Sequence, residues 1–164
     1  MQVTLTVKNV QKVLGQLKRL NKELEPDFRE IIKGGAQKIR GEAIKSIQSG
    51  SKSGIVYQKY NPRRQHRASA PGEAPASDTG NLVSKIMVKQ LTKDRVAVES
   101  NANNSAYLEY GTSKMQPRPF MLPAFEKSKS SITKVVFNRV VRKIEELVKW
   151  VIMQLQYKQQ YIMP

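Results

Sequence analysis

The chain has 164 residues, enough for one domain with its own core and no need of disulfides or a structural metal. Its 29 Lys+Arg against 13 Asp+Glu leave a formal charge of +16, a field that attracts nucleic acid, acidic protein or anionic membrane surfaces. Cysteine is absent, no apolar run reaches the roughly 18 residues of a membrane span, and Met1–Val7 lacks the basic-then-apolar layout of a secretory signal, so assembly in a reducing cytoplasm is expected.

Val3, Leu5 and Val7 alternate with Thr4 and Thr6, which predicts a short half-buried strand. Asn9 is placed to cap a helix whose apolar stripe is Val10, Val13, Leu14, Leu17, Leu20 and Leu24. Pro26-Asp27 is read as the start of a second helix, with Phe28, Ile31, Ile32, Gly35, Ile39, Ala43 and Ile47 on its apolar face. Gly34, Gly35 and Gly41 weaken it by about 1 kcal/mol each relative to Ala, which close packing would justify.

Periodicity then dissolves over residues 49–77, read as a mobile basic loop, and no acidic residue lies between Glu42 and Glu73. Order resumes with Asp78 or Asn81 as the cap of a short helical turn. A β-hairpin follows: Ile86, Val88 and Gln90 alternate with Met87, Lys89 and Leu91, Thr92-Lys93-Asp94 turns, and Arg95–Ser100 alternates again. The segment Ala106–Thr112 turns at Gly111, and a proline-rich piece is expected to deliver Phe120 and Leu122 to the core before Pro123 opens the last helix. That helix carries Ile132, Val135, Val136, Val140, Ile144, Leu147, Val148, Val151, Ile152 and Leu155, and if continuous it overhangs the domain. Leu147, Val151 and Leu155 are therefore candidates for a subunit interface.

Catalytic, metal and cofactor chemistry finds no support. His66, the only histidine, sits in the run Arg63-Arg64-Gln65-His66-Arg67, whose cations repel a metal. Gly34-Gly35 does not follow a strand, as a phosphate-binding glycine loop would, and the carboxylates are scattered. The informative residues are basic. Lys52, Lys59, Arg63, Arg64 and Arg67, interleaved with Tyr57 and Tyr60, suit phosphate contact and stacking, an acidic protein neighbour, or simple solvation.

Two stretches are more specific: Ala70-Pro71-Gly72-Glu73-Ala74-Pro75 with Asp78-Thr79-Gly80-Asn81-Leu82, and Ala106-Tyr107-Leu108-Glu109-Tyr110-Gly111-Thr112 with Gln116-Pro117-Arg118-Pro119-Phe120-Met121-Leu122-Pro123-Ala124. In this order, flanking a hairpin, they closely resemble the small neck or tail-completion proteins of long-tailed bacteriophages. The resemblance implies an α+β fold: a small, mainly antiparallel sheet of about four strands with a central hairpin, N-terminal helices and a long C-terminal helix. It implies one domain over residues 1–164, with the basic loop at about 49–77 and a helical extension at about 124–160. The implied role is structural: a virion subunit, assembled in the host cytoplasm, that forms a ring with itself and meets head-closure and tail-terminator or tail-tube proteins. Non-specific contact with packaged DNA is compatible with it; a membrane partner is not. Tyr107, Glu109, Gly111, Thr112, Phe120 and Pro123 carry the motif, either as fold-forming residues (Phe120 and Tyr107 in the core) or in the ring interface. The insertion at 49–67 and the tail to Pro164 depart from the family pattern. The competing reading is a stand-alone nucleic-acid-binding protein acting through residues 52–67.

Overall fold

In the computed structural model, which describes residues 10–160, α1 (Val10–Gln48) runs unbroken through Pro26, where a boundary between two helices is expected from the sequence. Proline inside a helix removes one hydrogen bond and crowds the carbonyl four residues earlier, at about 3 kcal/mol. Here Pro26 is exposed, where water can serve the freed carbonyl. The apolar positions also keep phase across it, from Leu24 to Phe28 to Ile31 and Ile32, so one face remains continuous. The strand at Val3–Val7 and the Asn9 cap lie outside the described residues, as do the stripe side chains from Val10 to Leu24.

The stretch 49–77 contains a regular antiparallel hairpin, β1 (Val56–Tyr60) and β2 (Arg63–Arg67), joined at Asn61-Pro62. A short helix α2 (Asn81–Ser84) leads into the second hairpin, β3 (Ile86–Thr92) with β4 (Arg95–Ser100). Among the described residues these strands form two separate two-stranded sheets. Helix α3 (Ser105–Tyr110) and the long α4 (Met121–Gln160) complete the described chain. The architecture is α+β, as expected.

Helices α1 and α4 run antiparallel. Lys127 Nζ meets Glu42 at 2.6 Å, and Lys38 Nζ donates to Ser131 Oγ at 2.6 Å. Gly35 lets the two helices pack closely, because a Cβ there would lie 3.2 Å from Ile132 Cγ2. Close packing therefore explains Gly35 but not Gly34 or Gly41, which have open space where a Cβ would be. The second hairpin lies against α1, held where Arg40 Nε donates to the Ile86 carbonyl at 2.8 Å.

Among the described residues the core gathers at one end of the helix pair: Ala43 and Ile47 of α1, Ile86 of β3, Phe120, and Ala124 of α4. Ala74, Leu82, Val83, Val98 and Leu108 pack around it. Phe120 is 1% exposed, as expected, but Leu122 is 62% exposed and Tyr107 59%. Neither reaches the core, because α4 begins at Met121 and turns Leu122 outward, and α3 presents Tyr107 to solvent.

Candidate functional site

The two sequence motifs meet in space. The Gly72 amide donates to the Pro117 carbonyl at 2.9 Å, and the Arg118 amide to the Leu108 carbonyl at 2.7 Å. Between them Glu109 solves a problem set by α4. A helix leaves its first four amides without partners inside the helix. One Glu109 carboxylate oxygen accepts from the Phe120 and Met121 amides at 2.9 and 3.0 Å, and the other from Leu122 at 2.9 Å. Pro123, next in line, has no amide hydrogen to satisfy. Glu109 and Pro123 together complete the start of α4, and the negative charge suits the positive end of the helix dipole. Gly111 ends α3 at φ 76°, ψ −175°, and a Cβ there would sit 2.8 Å from the Met115 carbonyl oxygen. Thr112 and Met115 then exchange backbone hydrogen bonds that close the turn toward Gln116. Glu109, Gly111, Thr112, Phe120 and Pro123 thus form one structural joint, with Tyr107 exposed beside it.

The basic hairpin has two unlike faces. Cross-strand partners share a face, so Tyr57, Lys59, Arg64 and His66 lie on one side and Val56, Gln58, Tyr60, Arg63, Gln65 and Arg67 on the other. On the first side Asp78 pairs with both Lys59 and Arg64, and His66 Nδ1 lies 3.8 Å from it. The Lys59 hydrogen bond, with the Arg64 charge beside it, holds the Asp78 carboxyl below its ordinary range. Asp78 therefore anchors the hairpin and does not cap α2, whose N-cap is Gly80, without a side-chain bond. Lys52 donates to the Ser46 carbonyl at 2.9 Å, and burial lowers its pKa. Of the five basic candidates, Lys52, Lys59 and Arg64 are engaged within the subunit, while Arg63 and Arg67 face outward with no ion pair among the described residues.

Asp78 and Glu73 were not singled out as anchors by sequence, although they are the first acids after the acid-free stretch. Glu73 accepts from the Ser53 hydroxyl and from the Ser53 and Ala70 amides, at 3.1 and 2.9 Å for the amides. Those bonds hold its carboxyl down at about 2. Because this lies below its ordinary value of 4.5, Glu73 supports the folded loop above about pH 4.5, and that support is lost as pH falls toward 2. Hydrogen-exchange protection of the Ser53 and Ala70 amides is expected to fall across that window, and Glu73→Gln should lower it already at neutral pH. Gly54 closes the hairpin base, where a Cβ would lie 2.6 Å from the Ala68 carbonyl oxygen.

Two apolar surfaces remain. On α4, Phe137, Ile144, Val148 and Ile152 recur at helical spacing and are all exposed. The interface candidates Leu147 and Val151 lie beside this stripe and are half-buried; the Leu155 side chain lies outside the described residues. The second surface is an open groove of about 790 Å³ where α1, β4, α3 and the start of α4 meet, lined by Ile32, Ile39, Val98, Tyr110, Leu122 and Phe125 among others.

Among the described residues no group of His, Asp and Glu is arranged to hold a metal ion, and no helix is long and apolar enough to cross a membrane. No curated protein and no solved structure matches the chain. Residues 11–111 match the family HK97-gp10_like, described as "Bacteriophage HK97-gp10, putative tail-component". The matched segment contains α1, both hairpins and α3 as far as Gly111, and stops before α4.

Proposed function

Because the chain belongs to the HK97-gp10-like family of bacteriophage tail components, we propose that it is a ring-forming subunit of the phage neck that joins the head-proximal connector to the tail. Its partners are further copies of itself and the neighbouring head-closure and tail-terminator or tail-tube proteins. The role is architectural, with no catalytic step.

The observation that carries this reading is the pair of unlike apolar surfaces. A ring built head to tail needs two different patches on every subunit, one for each neighbour. The α4 stripe and the α3–α4 groove are two such patches, and exposed apolar surface of this kind marks interaction sites.

Charge placed on either patch tests the idea without touching the core. Val148→Glu/Ile152→Glu and Tyr110→Asp/Phe125→Asp should each stay folded and monomeric by analytical ultracentrifugation, and each should leave unjoined heads and tails in infected cells. Mixing the two variants restores one good interface per pair, so a heterodimer that grows no further is the expected species. Normal particles from both variants would defeat the proposal.

A further inference from the structure

We propose that the outward face of the β1–β2 hairpin is a DNA-contacting surface that grips the phosphate backbone without reading sequence. The inference is independent of ring formation, because it rests on the geometry of one subunit.

The face consists of the cross-strand pairs Val56–Arg67, Gln58–Gln65 and Tyr60–Arg63, and all six residues are exposed. The opposite face is where Asp78 neutralises Lys59 and Arg64. The hairpin therefore sorts its cations: one set holds it to the domain, and Arg63 and Arg67 are left pointing at solvent. No acidic residue between Glu42 and Glu73 competes for them. Asp78, Gly54 and Glu73 fix the hairpin before any partner arrives, so little ordering entropy opposes binding.

The chemistry of the face favours a polyphosphate over a protein. Protein interfaces centre on apolar and aromatic anchors, whereas this surface offers only Val56 and the Tyr60 ring. Its other groups are guanidinium forks, which match phosphate oxygens bidentately, and glutamine amides, which donate to phosphate oxygens without charge. A two-stranded ribbon is also a shape that the major groove of B-DNA admits. Arg63 and Arg67 lie four residues apart on one strand, about 13 Å at 3.3 Å per residue. That span is close to the groove width of about 12 Å, so the two can reach phosphates on opposite walls.

The test is fluorescence anisotropy of the full chain with a labelled duplex of about 30 base pairs across a salt series. Arg63→Ala/Arg67→Ala should weaken binding at least about tenfold near 0.1 M salt. It should also reduce the slope of log affinity against log salt by about 1.8, the loss of two phosphate contacts. A control pair of exposed cations elsewhere, Lys33→Ala/Lys93→Ala, should change affinity less than about threefold. Thermal unfolding should be unchanged in the arginine variant, because neither side chain holds the fold. Equal losses in both variants would overturn the proposal, since the +16 charge would then bind DNA diffusely. Unchanged DNA affinity in the arginine variant would overturn it too. If heads and tails then fail to join in phage carrying that variant, an acidic protein occupies the face instead.

Discussion

Glu109→Ala should lower unfolding free energy by about 3 kcal/mol in urea denaturation, the largest effect of any substitution at a partly exposed side chain of the joint. Three amides at the start of α4 lose a charged acceptor at once, and hydrogen bonds to charged groups contribute about 1.5–3 kcal/mol each where they are partly shielded. Water will serve some of the freed amides, which keeps the total well below three times that range. Glu109→Gln should lose about half as much, because one amide oxygen can still accept while its NH₂ group faces the remaining donors. Equal stability of wild type and Glu109→Ala would mean that the start of α4 is satisfied by solvent and that the motif glutamate acts elsewhere.

Gly111→Ala is expected to cost at least about 3 kcal/mol, and Gly111→Asn should not rescue it. A left-handed helical position, with ψ near +47°, tolerates asparagine at small cost. Gly111 instead combines φ 76° with ψ −175°, a region that is essentially glycine's alone and costs other residues about 1–3 kcal/mol. A side chain would in addition meet two backbone atoms, the Met115 carbonyl oxygen at 2.8 Å and the Pro117 nitrogen at 2.9 Å. Since the same turn delivers Phe120 to the core, the unfolding midpoint should fall together with the near-ultraviolet aromatic signal. A fully stable Gly111→Asn protein would show that the turn is an ordinary left-handed one.

Legibility in the sequence tracked how local the determining physics was. The β3–β4 hairpin was readable because alternation and turn residues lie within about fifteen positions, and Ile86 and Val88 do face inward relative to Met87, Lys89 and Leu91. The long final helix was readable for the same reason. The β1–β2 hairpin was hidden: its strands, Val-Tyr-Gln-Lys-Tyr and Arg-Arg-Gln-His-Arg, have no apolar face to alternate. What holds it is Asp78, fourteen residues beyond Arg64, and a backbone contact at Gly54 that only the fold reveals. Glu109 was recognisable as a motif residue, but its task was not, because its amide partners come eleven to thirteen positions later. Leu122 misled because hydrophobicity alone does not say which side of a helix start a residue will occupy. Pro26 marks a helix boundary by local rules, but the apolar stripe keeps its phase across it and the helix continues.

Among the described residues the core sits at one end of the antiparallel α1–α4 pair, which gives the pair the geometry of a lever. At 1.5 Å per residue the 40 residues of α4 extend about 60 Å. A tilt of about 5° at the root therefore sweeps the far tip by about 5 Å, roughly one helical turn of travel, with almost no displacement at Phe120 or Ile86. Mechanical strain applied at the tip is likewise magnified at the fulcrum, where Glu109 fastens the start of α4. A load on the pair acts there on the three hydrogen bonds by which Glu109 holds the Phe120, Met121 and Leu122 amides.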